Sequence, residues 1–136
     1  MDLSSIKLID EPIAMPLKDA EGEDMVDDAG NPIVFMVCGT DSQAYKMVDS
    51  AISQRRLKRA SKKRSINALL DDDPSVFERE RLERLSACIC GWQNVFENGT
   101  ELQYSGKEAL RLVTEYPMIA DQVEAFATDR ANFIMK

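Results

Sequence analysis

Side chains that could carry out chemistry are few in this chain of 136 residues, which has no histidine and three cysteines. Without histidine there can be no Ser-His-Asp or Cys-His nucleophile pair and no histidine-ligated metal. Cys88 and Cys90 are two positions apart, so they neither form a Cys-x-x-Cys pair nor share one face of a helix. We therefore expect them to be small core hydrophobes, and three cysteines to stay reduced.

The carboxylates are more numerous, but their spacing indicates neither a catalytic pair nor a metal site. The acidic residues 71–73 stand directly before Pro74, where such residues cap the start of a helix. They could bind a hard cation, but their spacing is not that of an EF-hand. Glu78, Glu80 and Glu83 alternate with arginines, which is typical of a solvated or salt-bridged helix face. The sequence thus predicts a protein that is not an enzyme and that holds no metal or cofactor.

The net charge of −7 is divided into three blocks of opposite sign. Residues 1–40 carry nine acids and two bases, residues 41–70 two acids and eight bases, and residues 71–136 thirteen acids and seven bases. An acidic protein is expected to be soluble and to have little global affinity for nucleic acid or an anionic membrane. The longest apolar run, residues 33–38, is far shorter than the ~20 residues of a membrane span. With no signal peptide at its beginning, we expect a cytoplasmic protein with one domain, residues 1–136.

The first block has the pattern of strands. Ile13, Met15 and Leu17 alternate along the chain, which predicts a strand, and two neighbouring prolines predict that it lies at a sheet edge. Residues 33–38 form a short apolar run that is typical of a buried strand. A lone hairpin is only marginally stable, so we expect a β-hairpin or small sheet that packs on helices or on another chain.

The other two blocks have the pattern of helices. A capping box at Thr40 and Gln43 predicts a long helix over residues 41–70. In the third block we expect a helix capped by Asp73, a turn at Asn98-Gly99, a helix capped by Ser105 and a last helix from Pro117 to Phe133. The face of the first of these carries Leu82, Leu85, Ile89 and Trp92. The predicted fold is α+β and mainly α, with a small N-terminal β-hairpin or sheet packed on about four helices.

The long helix ends in a basic run, residues 55–64, in which seven of ten positions are Lys or Arg. The favoured interpretation is a solvated helix end, or pairing with the acidic first block of this same chain. A second interpretation is a docking surface for an acidic protein. Nucleic acid is the least favoured partner, because no aromatic residue is interleaved for base stacking. The candidate binding residues are Arg55, Arg56, Arg59, Lys62 and Lys63.

Residues 33–45 and 91–133 together resemble a known family. Residues 91–105 begin with Gly91-Trp92, continue through a short polar hook that contains Gly99, and lead into a capped helix. Residues 33–45 are similar to the strand-to-helix junction of the same proteins. The family is that of the small tail assembly chaperones of long-tailed bacteriophages and prophages.

The resemblance implies a non-enzymatic role in viral tail morphogenesis. Such chaperones bind the tape measure protein, and tail tube subunits are a second expected partner. They act in the host cytoplasm, are lost from the mature particle, and often exist in two lengths through a translational frameshift. The family fold is mostly helical with a small β element near the N-terminus.

A chaperone for a long apolar helix should offer grooves that cover apolar stripes. The candidates are apolar residues of the two C-terminal helices, and for most of them a place in the core is the favoured interpretation. Only residues that are exposed in the structure could bind a partner. These candidates are Leu110, Val113, Ile119, Val123 and Phe126.

Two other classes of function stay open on the sequence. The first is a structural virion protein, such as a head–tail connector or a tail terminator. The second is a small regulator that uses the basic helix to bind nucleic acid or an acidic partner. Edge-to-edge pairing of the predicted hairpin would also produce a homo-oligomer.

Overall fold

The computed structural model describes residues 2–63 and 74–134 of the chain. The predicted fold class is confirmed, because a small antiparallel sheet near the N-terminus accompanies four helices in this part of the chain. Positions 64–70 of the predicted long helix, and Asp73, lie outside the described residues. The elements in chain order are β1 (Ile13–Pro16), β2 (Val34–Val37), α1 (Gln43–Lys63), α2 (Pro74–Cys88), β3 (Ile89–Gln93), β4 (Phe96–Glu97), β5 (Thr100–Glu101), α3 (Gly106–Glu115) and α4 (Pro117–Thr128), with short 3-10 helices at Leu3–Ser5 and Arg130–Phe133.

The main sheet has the order β1-β2-β3, so β2 lies between two antiparallel partners. Phe35 of β2 pairs with Met15 of β1 on one side and with Trp92 of β3 on the other. The Phe35 side chain is fully buried, and its ring meets the Trp92 ring edge-on at 5.6 Å between centroids. Strand β1 lies at the sheet edge, as its prolines predicted. Helices α2, α3 and α4 pack against β2 and β3, and the core lies between these layers.

The predicted helical face through Leu82, Leu85, Ile89 and Trp92 is wrong in its second half. Helix α2 ends at Cys88, and both Ile89 and Trp92 lie in strand β3. The backbone of this strand is hydrogen-bonded along β2, and tertiary pairing of this kind overrides a local helical pattern.

A β-bulge explains why the spacing was misleading. Val37 pairs with Ile89 and Phe35 pairs with Trp92, so partners two residues apart on β2 are three residues apart on β3. The additional residue on β3 keeps Ile89 and Trp92 on the same face of the sheet, where strict alternation would separate them. A three-residue step between apolar residues therefore arises here from a bulged strand, although it is typical of a helix face.

The cap of α1 also differs from the prediction. Helix α1 begins at Gln43, and the residue that caps it is Ser42, not Thr40. The Ser42 hydroxyl accepts a hydrogen bond from the backbone N–H of Tyr45 at 3.3 Å. The carboxylate of Asp10 accepts the N–H of Gln43 at 3.0 Å. A distant acidic residue therefore satisfies a helix N–H group that the capping-box pattern assigned to a local side chain.

The first residues of the last two helices agree with the prediction. The Ser105 hydroxyl accepts the N–H of Glu108 at 3.1 Å and caps α3. Pro117 lies in the first turn of α4, directly after α3 has ended. Phe133, in contrast, does not continue α4, because that helix ends at Thr128 and Phe133 lies in the following 3-10 helix.

Replacing Phe35 with alanine is expected to lower the free energy of unfolding by about 3–5 kcal/mol, because a buried aromatic ring is lost and a cavity is left. Urea unfolding followed by circular dichroism measures this loss. Phe96→Ala is the matched control, because 49% of the Phe96 side chain surface is exposed and a loss under about 1 kcal/mol is expected. Equal losses in the two variants would contradict the place of Phe35 in the core.

Candidate functional site

The basic run of α1 lies against α2, and ion pairs join the two antiparallel helices. Arg56 donates to the carboxylate of Glu80 through Nε at 3.0 Å and through a terminal nitrogen at 2.5 Å. Arg59 approaches the other Glu80 oxygen at 3.8 Å. Arg55 forms an ion pair of 2.9 Å with Glu83. These three candidate binding residues thus contribute to the attachment of α1 to the rest of the molecule.

The interpretation that the basic run pairs with the acidic first block is wrong, because the arginines pair with carboxylates of a different block. Glu80 and Glu83 belong to the third block, residues 71–136. Because α1 lies beside α2, its arginines face carboxylates of the neighbouring helix. The alternation of acidic and basic residues on α2 is accordingly a salt-bridged face, which also includes an ion pair of 2.7 Å between Arg84 and Asp49.

Glu80 is the buried carboxylate of this helix pair, since only 3% of its surface is exposed. Hydrogen bonds from Arg56 lower the pKa of Glu80, burial opposes this shift, and the charges of Arg56 and Arg59 add to the lowering. The Arg56 guanidinium also lies over the ring of Phe77, 4.6 Å from its centroid. Glu80 is therefore held as an anion by the hydrogen bonds and the positive charges of these arginines.

The remaining basic candidates lie at the end of α1. Lys62 is exposed, and Lys63 is the last residue of the helix. Between α1 and α2 there is a cleft of about 380 Å³, to which Lys58 and Arg79 contribute further positive charge. Since Glu80 and Glu83 also line this cleft, its cations face carboxylates of the chain itself.

The five apolar candidates of α3 and α4 belong mostly to the core. Val113 and Val123 are buried and offer no surface to a partner in this conformation, and Ile119 is 6% exposed. Leu110 and Phe126 are half-buried and pack against the core cluster. Most of these residues thus lie in the core or pack against it, which is the place that the sequence favoured for them.

An apolar groove that the sequence reasoning missed lies between the β4–β5 hairpin and the corner where α3 meets α4. It measures about 240 Å³, and Phe35 and Ile119 lie among its lining residues. Its rim carries two exposed apolar side chains, Phe96 and Met118, which are 49% and 42% exposed. One sequence signal could have indicated that these side chains are exposed. Phe96 stands beside a turn and Met118 beside a proline, and chains reverse direction at the surface at such positions.

The groove continues into a second depression of about 320 Å³, and Ile33 and Phe96 line both. Val26, which is 54% exposed, adds apolar surface there, while Asp27 and Asp28 add negative charge. The adjoining loop, residues 19–28, contains six acids and no base. The groove and this depression, together called the apolar groove below, therefore have an acidic border on the side of the loop.

The border of the apolar groove at Glu97 adjoins a cluster of one arginine and three carboxylates. Arg111 forms ion pairs with Glu97 at 3.0 Å, with Glu108 at 2.7 Å and with Glu115 at 2.9 Å. The hydroxyl of Tyr116 donates to Glu97 at 2.6 Å. Hydrogen bonds from Arg111 and Tyr116 lower the pKa of Glu97, and the bond to Glu97 raises the pKa of Tyr116. The cluster therefore keeps a net negative charge.

The three cysteines lie together near the end of β2. The Sγ atoms of Cys38 and Cys90 are 2.8 Å apart, and the N–H of Cys38 donates to the carbonyl oxygen of Cys88 at 2.7 Å. Burial raises the pKa of Cys38 and of Cys88 to about 12, so both are neutral thiols near pH 7. Cys88 is fully buried, as expected for a small core hydrophobe.

Across residues 2–63 and 74–134, no cluster of three or more side chains is arranged to hold a metal ion. Within the same ranges, no helix combines the length and the apolar character that crossing a membrane requires. Searches against family models, curated proteins and solved structures find no match for this chain. The family resemblance of its sequence therefore stays a prediction.

Replacing Glu80 with alanine is expected to lower the free energy of unfolding at pH 7 by about 1.5–3 kcal/mol, because the hydrogen bonds from Arg56 to a buried carboxylate are lost. Chemical denaturation measures the loss. Glu83→Ala is the matched control, since its pair with Arg55 is partly exposed and should contribute less than about 1 kcal/mol. A small effect of Glu80→Ala would mean that the ion pair does not hold α1 on α2.

The stability that Glu80 confers is expected to depend on pH. Its pKa is lower in the folded protein than the ordinary value of 4.5, so its contribution is complete above about pH 4.5 and is lost as the pH falls through the folded pKa. The difference in unfolding free energy between the wild type and Glu80→Gln should therefore shrink as the pH falls below 4.5. Denaturation curves of both proteins across this range check the prediction, which a constant difference would contradict.

Proposed function

We propose that this protein is a non-enzymatic tail assembly chaperone of a long-tailed phage or prophage, and that it binds the tape measure protein before and during tail assembly. The observation that carries the proposal is that the apolar groove is lined mainly by the segments that carry the sequence resemblance. Ten of the twelve residues that line the deeper part of the groove lie within residues 33–45 and 91–133, the segments that resemble the chaperone family. The other two are Leu17 and Met25.

An exposed apolar groove suits a holding function. The described part of the chain buries a continuous core, and yet Phe96, Met118 and Val26 remain about half exposed. Phe96 lines one depression with Val26 and the other with Met118. Clustered exposed apolar surface of this kind marks an interaction site. A long apolar helix in an unassembled tail needs such a surface to keep it from aggregating. In this proposal the chaperone acts in the host cytoplasm, has tail tube subunits as a second partner, and is absent from the finished particle.

The groove is less suited to a whole small molecule. Glu97 and Tyr116 are the polar side chains that line its deeper part, and they are hydrogen-bonded to each other, so they are less available to orient a ligand. Depressions of about 240 and 320 Å³ can hold anchoring side chains of a protein partner. The alternative function, a small regulator that binds nucleic acid or an acidic partner through its basic helix, has less support. Arg55, Arg56 and Arg59 of that helix pair with carboxylates of α2.

The test is co-expression with the tape measure protein of the same phage. We expect the tape measure protein to move into the soluble fraction and to co-purify with this chain in a defined complex. Co-expression with an unrelated acidic helical protein of similar size is the control, and it should leave the tape measure protein insoluble. An insoluble tape measure protein with no complex would overturn the proposal. Recovery of this chain from mature particles would favour a structural virion protein instead.

A further inference from the structure

We propose that the apolar groove binds one α-helix of the partner, and that this helix carries lysine or arginine residues on both flanks of its apolar stripe. The proposal rests on the function proposed above and specifies the partner segment. It commits to the chemistry of the occupant, which follows from three observations: how the walls of the groove are held, which backbone groups around it are already paired, and the sign of the charges along its borders.

Polar contacts join the walls of the groove and fix the distance between them. Glu97 on β4 accepts hydrogen bonds from Arg111 of α3 and from the hydroxyl of Tyr116 at the α3–α4 corner. The hairpin that carries Glu97 and Phe96 turns at Asn98-Gly99, where both residues have positive φ. Hairpin and corner are thus fixed relative to each other without filling the space between them, and a partner meets a preformed site.

The backbone next to the groove favours a helix over an extended peptide. The N–H of Met25 donates to Leu17, the N–H of Ile33 donates to Met25, and the N–H of Leu102 donates to Val95. An extended segment would add to a strand edge to satisfy its own backbone, and these three N–H groups are not available for that. A helix satisfies its backbone internally and presents only side chains. Phe96 and Ile33 adjoin both depressions, so successive apolar residues on one helix face can occupy them.

The charges on both borders determine the flanks of that helix. One border carries Asp27, Asp28 and the acidic loop of residues 19–28. The other carries Glu97, Glu108 and Glu115 around the single cation of Arg111, which leaves an excess of negative charge. A helix with acidic flanks would be repelled along both borders, whereas lysine or arginine flanks would be attracted.

The test uses the full-length protein and two fluorescent helical peptides that share one leucine stripe. One peptide has lysines on both flanks of the stripe, and the other has glutamates at the same positions. Fluorescence anisotropy is expected to show binding of the lysine peptide and binding at least about tenfold weaker for the glutamate peptide. The preference should diminish as salt is raised, because the charged borders are exposed to solvent. Equal affinities for the two peptides would overturn the proposal.

Variants then locate the site. Phe96→Ala should weaken binding of the lysine peptide about tenfold. Replacing both Asp28 and Glu115 with lysine should remove the preference for the lysine peptide. Leu57→Ala is the matched control, because Leu57 is an exposed apolar residue of α1 that does not line the groove. The affinity of this variant for the lysine peptide should be unchanged. Thermal melts confirm that each variant is folded. Equal effects of Phe96→Ala and Leu57→Ala would overturn the assignment to the groove.

A second copy of this chain is the rival occupant. Sedimentation of the wild type and of Phe96→Ala decides between the two occupants. The proposal would be overturned if the wild type were a dimer that the lysine peptide does not dissociate, and if Phe96→Ala were a monomer. The same variants separate this inference from the proposed function. If the tape measure protein is solubilised equally well by Phe96→Ala, the chaperone function stands and the groove assignment fails. If the lysine peptide binds through Phe96 but co-expression leaves the tape measure protein insoluble, the groove assignment stands and the chaperone function fails.

Discussion

Strand β2 is hydrogen-bonded on both sides, and the ring of Phe35 lies where the sheet, the core and the apolar groove meet. Its neighbour Trp92 packs on this ring and also donates its indole N–H to the carbonyl oxygen of Leu102 at 2.9 Å, which fixes the chain after the β4–β5 hairpin. The hairpin carries Phe96, so the position of this exposed groove residue depends on a buried ring of the main sheet. Buried apolar packing thus sets the location of the groove, and polar contacts set its width.

The two surfaces of this molecule use charge in opposite ways. Along α1 and α2, arginines and carboxylates of the same chain neutralise one another, as the nearly buried Glu80 requires. Around the apolar groove, Arg111 meets three carboxylates and cannot neutralise them all. Three arginines of the basic run that is conspicuous in the sequence are therefore paired within the fold, whereas the acidic border of the groove, inconspicuous in the sequence, has carboxylates in excess.

Much of the fold could be predicted from the sequence, because alternation in Ile13, Met15 and Leu17 and the caps at Ser105 and Pro117 are local signals. Strand β3 could not, since a bulge gave it the spacing of a helix face and only its pairing with β2 decides its conformation. The groove could not be predicted for a similar reason. Whether an apolar residue such as Phe96 or Val113 is exposed depends on which distant elements cover it, and that information is not local.

The attachment of α1 has a consequence for how the molecule opens. Among the described residues of α1, Ile52 is the fully buried apolar side chain. The contact between α1 and α2 also includes ion pairs at the surface. Segments with few buried apolar contacts open locally at a lower free energy than the core. Amide hydrogens of α1 should therefore exchange with solvent through a local opening that high salt promotes, while those of β2 exchange only when the whole molecule unfolds.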